Sequence, residues 1–110
     1  MALVLTEEQQ LLRDTATQFF QERVGIQNLR KLRDEKDDTG FDRAIWKEMA
    51  DLGFAGIMIS EKYGGTEFGP VGLGLVLEQA GRVLAATPLV SPVLLCGSAI
   101  QLAGSANQRQ

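Results

Sequence analysis

The sequence predicts an all-α fold, a helical bundle of about four to five helices. Three observations carry that expectation. Apolar residues recur at helical spacing in several stretches of the 110-residue chain. Cap-forming side chains stand before these stretches and glycines after them. The one short apolar run between helices, Phe54–Ile59, finds no partner strand elsewhere. A chain of this length is a single domain at most and buries about two thirds of its unfolded surface.

The first helix is expected over residues 6 to about 24. Thr6 and Gln9 form a capping box, and Glu7 and Glu8 complement the helix dipole in the first turn. Leu12, Ala16, Phe19 and Phe20 make one apolar stripe. Gly25 interrupts the pattern, which Ile26, Leu29 and Leu32 resume to about Asp34. The mixed charges that follow, Arg33 to Asp38, read as a solvated face running into a turn closed by Gly40.

Asp42 is an N-cap for the next helix, with Phe41 and Trp46 placed as a hydrophobic staple. Ile45, Met49 and Leu52 line one face of it, beside Trp46 and Ala50, and Gly53 stands where a left-handed C′ residue belongs. Phe54–Ile59 is too short for a helix and is expected to be an extended packed segment, turned at Gly64-Gly65. Gly69-Pro70 starts a buried helix to about Ala86, apolar on nearly all sides, with Leu73, Val76, Leu77, Ala80 and Leu84 on one face and Val71 and Leu75 on another. Gly74 and Gly81 lie seven residues apart, on one line, and predict a groove that another backbone enters. Glu78 and Arg82 are an i,i+4 pair. Pro88 enforces a loop. Ser91 and Pro92 then suit the cap and first turn of a helix over Val93–Ala103, stopped by Gly104. Ser105 and Gln108 repeat the capping box, a start signal with no room for a helix after it, which points to a longer parent sequence.

Composition excludes several functions. The net charge of −3, with both signs interspersed, offers no basic stripe for nucleic acid. With no His and one Cys, the chain cannot build a four-ligand zinc site or a Ser-His-Asp or Cys-His catalytic set. Cys96 cannot form an internal disulfide and is expected to be a small buried hydrophobe, which fits a cytoplasmic location. The opening MALVLTEEQQ lacks a signal-peptide pattern, and no membrane span is expected, since no run approaches the roughly 18 apolar residues a span requires. Gly72-Leu73-Gly74 lacks the third glycine of a dinucleotide fingerprint and lies inside a helix. Glu48, Asp51, Glu61, Glu67 and Glu78 are not spaced as a catalytic carboxylate pair. Glu78 alone sits in an otherwise buried helix, where a partner role suits it better than catalysis.

Four segments together resemble the N-terminal helical domain of the acyl-CoA dehydrogenase family. LTEEQQLLRDTATQFFQERV is similar to the family's first helix. WKEMADLGFAGIMISEKYGGTEFG is similar to its helix–turn–glycine segment, the most specific of the four. LGLVLEQAGRV resembles the buried helix that follows, and GSAIQLAGSANQRQ the approach to the domain's last helix. The likeness runs over residues 1–110.

The resemblance implies a flavoenzyme that removes hydrogens from the α and β carbons of an acyl-CoA thioester. A glutamate takes the α-proton, FAD accepts the β-hydride, and electrons pass to electron-transfer flavoprotein. In the family these roles belong to a central β-domain and a C-terminal helical domain, usually assembled as a tetramer. On this reading the sequence holds no catalytic, cofactor-binding or metal residue, and the isolated chain is expected to be inactive. One role carries over: the loop after the buried helix lines the acyl pocket, which here implies Pro88, Leu89, Val90, Pro92, Val93 and Leu94, with plain core packing as the alternative. Two other readings stay open. One is a free-standing helical interaction module. The other is the same domain in an acyl-CoA oxidase or in a non-catalytic subunit of a heteromeric dehydrogenase. An unpartnered apolar face on Pro70–Ala86 predicts self-association as a homo-oligomer.

Overall fold

The computed structural model describes residues 4–110; Met1, Ala2 and Leu3, which open the stretch read for a signal peptide, lie outside the described residues. Among the described residues there are six α-helices and no strand: α1 (Glu7–Arg23), α2 (Ile26–Asp34), α3 (Arg43–Asp51), α4 (Gly69–Arg82), α5 (Gly97–Ala103) and α6 (Ala106–Arg109). A 3-10 turn, Glu61–Tyr63, precedes α4, and a π-helical stretch, Val90–Cys96, leads into α5. The count exceeds the expected four to five because Gly25 starts a separate helix and Ser105 caps a real, if single-turn, α6.

Helix α1 begins as its capping box dictates. The Thr6 hydroxyl accepts from Gln9 N–H at 3.2 Å, and Thr6 N–H donates to the Gln9 side chain at 3.0 Å. Leu12, Ala16, Phe19 and Phe20 are buried, and α4 packs along this face. The two helices approach closely at Gly72, where an added Cβ would press on Phe68 and lie 3.3 Å from Leu12 Cδ2. The close approach expected at Gly74 and Gly81 is therefore found at Gly72. At Gly74 and Gly81 a Cβ would meet nothing within 4 Å.

Asp42 caps α3, its carboxylate accepting from Ala44 and Ile45 N–H at 2.9 and 3.3 Å. Ile45 and Met49 are buried, whereas Leu52 and Ala50 are exposed, because the helix ends at Asp51 and the chain turns under it. Gly53, at φ +88°, and Phe54 close the helix. Gly53 N–H donates to the Ala50 carbonyl and Phe54 N–H to the Met49 carbonyl, the double bond of a Schellman motif.

Residues 54–59 are not extended. They form successive turns, with Ile57 N–H donating to Phe54 C=O and Ile59 N–H to Gly56 C=O. Winding in this way turns Phe54 and Ile57 inward together, and both are fully buried. Thr66, Glu67 and Gly69 N–H groups donate back to the carbonyls of Gly56, Ile59 and Ile57. Gly65 passes so close to the Ile59 carbonyl that no side chain fits there. Phe54 completes an aromatic cluster: its ring lies edge-on to Phe19 at 6.0 Å and stacks on Phe20 at 6.2 Å.

Helix α4 ends at Arg82, four residues before the expected Ala86. Leu84 takes φ +52°, Leu84 N–H donates to Gly81 C=O, and Ala85 N–H donates to Ala80 C=O at 3.0 Å. Leu84 is thus turned out to solvent and does not join the buried face of Leu73, Val76 and Ala80. Val71 is also exposed and Leu75 half-buried, so α4 is covered on one side only. Glu78 lies on its open side and pairs there with Arg82 at 3.5 Å.

The last helical segment starts earlier than expected, at Val90, and Ser91 makes no capping bond. Pro92 brings no N–H to that first turn, and the bonding shifts to the wider π pattern. Cys96 faces solvent there and is not buried. Gln101 ties α5 to the turn segment, donating to Met58 C=O at 2.8 Å.

Candidate functional site

The left-handed turn at Leu84 folds the chain back across the end of α4 and leaves an apolar groove of about 390 Å³. Leu77, Ala80 and Gly81 of α4 form one side, and Leu84, Ala85 and Thr87 continue it. Leu89 and Val90 complete the lining. Leu89 belongs to the protein core, while Leu84 and Val90 remain half open to solvent. Gly81 adds no side chain and faces open space. No ionisable group lines the groove and Thr87 is its one polar side chain, so it is suited to an apolar chain.

Of the residues expected to form an acyl wall, the structure brings Leu89 and Val90 to this groove. Val93 is buried and Leu94 partly buried against the core, Pro88 is half-buried outside the lining, and Pro92 is exposed. Core packing therefore describes Val93 and Leu94. Sequence reasoning missed Leu77, Ala80, Gly81 and Leu84 as lining residues. Their i, i+3, i+4, i+7 spacing was legible, but it reads equally as a buried stripe, and only the early end of α4 separates the two.

Charged groups cluster elsewhere. Arg23 grips Glu48 through two hydrogen bonds, Nη2–Oε1 at 2.6 Å and Nε–Oε2 at 3.0 Å, joining the end of α1 to α3. The hydrogen bond from Arg23, reinforced by its charge, holds the Glu48 carboxyl below its usual pKa, and the same contact raises that of Arg23. Asp37 is lowered by hydrogen bonds from the Thr39 hydroxyl and from the N–H groups of Gly40 and Thr39. Lys47 and Asp51 pair along α3 at 3.0 Å. Among the described residues no three His, Cys, Asp or Glu side chains converge as a metal site would need. No helix among them is long and apolar enough to cross a membrane.

The family profile described as "Acyl-CoA dehydrogenase, N-terminal domain" matches residues 6–110. The chain belongs to the acyl-CoA dehydrogenase family. Bovine mitochondrial isovaleryl-CoA dehydrogenase is 35% identical over 77% of this chain and 20% of its own length. A chain of the ChsE4-ChsE5 complex from Mycobacterium tuberculosis superposes with a TM-score of 0.85 at 29% identity, over 100% of this chain and 30% of that one. A chain from the electron transferring flavoprotein structure of Acidaminococcus fermentans gives a TM-score of 0.80 at 29% identity, over 100% and 28%. This acyl-CoA dehydrogenase domain thus spans 20% to 30% of the length of these relatives.

The residues present do not fit a flavin. Gly72 and Gly74 sit within α4, Gly72 occupied by its contact with Leu12 and Phe68, so they cradle no phosphate. The apolar groove carries no cationic side chain for a diphosphate, Thr87 being its one polar side chain. A second uncharged groove, of about 380 Å³, lies between Ala99, Ile100, Ala103, Gly104 and Gln108 of this acyl-CoA dehydrogenase domain.

Proposed function

We propose that this chain is the N-terminal helical domain of an FAD-dependent acyl-CoA dehydrogenase, acting on an acyl-CoA thioester in fatty-acid metabolism. FAD held outside these residues supplies the hydride acceptor, and electron-transfer flavoprotein receives the electrons. The observation that carries this reading is the uncharged groove beside Leu84–Val90, in the loop where the family resemblance puts the acyl wall. Leu89 and Val90 contact the acyl tail, exclude water from it and help to orient the thioester end. The 110 residues alone turn over no substrate on this reading.

The test is an acyl-chain series with the flavin-loaded enzyme that carries this domain, read by flavin bleaching. Val90→Trp should cut kcat/KM for the longest acyl groups about tenfold and spare the shortest, since a filled pocket discriminates by bulk. An unchanged chain-length profile would remove the groove from the substrate site. The open face of α4, including Val71 and Leu75, supports assembly into a homo-oligomer, which light scattering of the same enzyme measures. A cytoplasmic location fits the single cysteine. The similarity to a chain of the ChsE4-ChsE5 complex supports a second reading, a subunit of a heteromeric dehydrogenase. Bleaching only after a different subunit is added would favour it.

A further inference from the structure

Between Arg82 and Arg109 the sequence carries no charged residue, although both signs are spread through the rest of the chain. Inside that segment the π-helical stretch and α5 form one unbroken helical run, with Cys96 and Gly97 both in the right-handed region. One side of the run is held down: Val93 is buried, and Gln101 bonds to Met58 C=O. The other side, Leu95, Cys96, Ala99, Ile100, Leu102 and Ala103, is exposed throughout. Leu102 is 85% exposed and Leu95 60%, and the run has no Lys or Arg stem to shield them. An apolar face of this kind calls for a cover. The chain presents 7373 Å² to solvent, where a compact monomer of 12.0 kDa presents about 6,000 Å². The excess, roughly 1,400 Å², is larger than the ~800 Å² that each partner hides in a standard interface.

Two features select the cover. A face without charge gives a charged partner nothing in return for lost hydration, so the surface that suits it best is another uncharged one. The net charge of −3 comes from residues outside this segment, so two copies meeting here bring no like charges into contact. The face also carries a projection beside a recess: Leu102 stands out next to the groove between Ala99, Ile100, Ala103 and Gly104. Such a surface fits itself. Laid antiparallel about a two-fold axis at Ala99, large residues meet small ones, Leu95 opposite Ala103 and Leu102 opposite Cys96. Only the Ala99 methyl groups stand at the axis, which lets the two runs approach closely.

We propose that the exposed face of Leu95–Ala103 is a dimer interface with a second copy of this chain, the two helical runs crossing antiparallel at Ala99. The contact is isologous and closes on itself. It is separate from the open face of α4, and it does not rest on the acyl reading of the groove at Leu84.

The test is sedimentation velocity of the 110-residue chain over a concentration series, with circular dichroism to check that each variant keeps its helices. The wild type should sediment as a dimer of 12.0 kDa chains. Leu102→Arg, at a position already open to solvent, should raise the dimer Kd about a hundredfold, because pairing would bury unpaired charges. Val71→Arg, on the open face of α4, should leave Kd within about twofold, as surface substitutions away from a contact do. Oxidative cross-linking then tests the crossing. In a Cys96→Ser background Ala99→Cys should form a disulfide dimer, since the axis brings the two copies of that position within the roughly 7 Å between Cα atoms that a disulfide spans. Val71→Cys in the same background should not. A chain that stays monomeric throughout the series would overturn the inference and give the face to a different polypeptide. A dimer that survives Leu102→Arg, or that Val71→Arg dissolves instead, would place the contact elsewhere and sink it equally. A dimer lost in Leu102→Arg but never cross-linked through Ala99→Cys would refute the antiparallel crossing.

Discussion

The ends of α3 and α4 share one hydrogen-bond pattern and differ in what fills it. At α3 the left-handed residue is Gly53 and the residue after it is Phe54, fully buried in the aromatic cluster. At α4 the same positions hold Leu84, exposed, and Ala85, half-buried. The first end is built for stability: the conformation is free for glycine, and a large side chain is driven into the core. The second is strained and leads into a groove. One turn geometry serves as an anchor in one place and as the edge of an apolar groove in the other, and the side chains alone make the difference.

The largest effect should come from the anchor. Phe54→Ala should lower stability by about 3–5 kcal/mol, the loss typical of a buried aromatic, whereas Ala85→Gly should lose less than about 1 kcal/mol. Urea denaturation of both variants measures the gap, and similar losses would erase the distinction drawn between the two ends.

Gly53→Ala comes next, with a loss of about 1–2 kcal/mol from the left-handed backbone alone. The added Cβ would also lie 2.8 Å from Thr66 Cγ2. Combining it with Thr66→Ser, which removes that methyl, should recover the steric share and leave the backbone share. A double-mutant cycle that shows no coupling would assign the whole loss to the backbone. Leu84→Gly should change sign relative to Gly53→Ala and add about 0.5–1 kcal/mol of stability, the relief of a left-handed leucine less the extra freedom glycine has when unfolded. Destabilisation by the same substitution would mean that Leu84 packs against something and is not strained.

The smallest effect lies at the Arg23–Glu48 contact, which joins the anchor helix to α1. Because the folded Glu48 carboxyl titrates below its ordinary value of 4.5, its contribution is fully present above that pH and is lost as pH falls through the lowered folded value. The contact is exposed, so the effect is also reduced by salt. Glu48→Gln should cost a little stability at neutral pH and converge with the wild type as pH falls below the ordinary 4.5, so that the acid limb flattens. An unaltered acid limb would place the titration elsewhere, at Asp37 for instance.

Much of the anchor was legible in the sequence and little of the groove. The Thr6–Gln9 and Ser105–Gln108 boxes, the Asp42 cap and the Gly53 stop are local devices, in which a side chain meets a backbone group a few residues away, and all four form as written. Phe54–Ile59 misled because an apolar run without a period does not distinguish an extended segment from a series of buried turns. Leu84 and Ser91 misled for a related reason. Helical spacing continues through Leu84, and a Ser-Pro pair looks like a cap wherever it falls.

By itself, then, the sequence determined the starts of α1, α3, α4 and α6, the glycine stop of α3, the core stripe of α1 and membership in a family, because those depend on short-range chemistry and residue order. Tertiary structure decided which of several glycines sits at the α1–α4 crossing, where α4 ends, and that Leu84 and Val90 line a groove while Val93 is buried. Those outcomes depend on which face of each helix finds a partner. A helical repeat fixes the faces but not what packs against them.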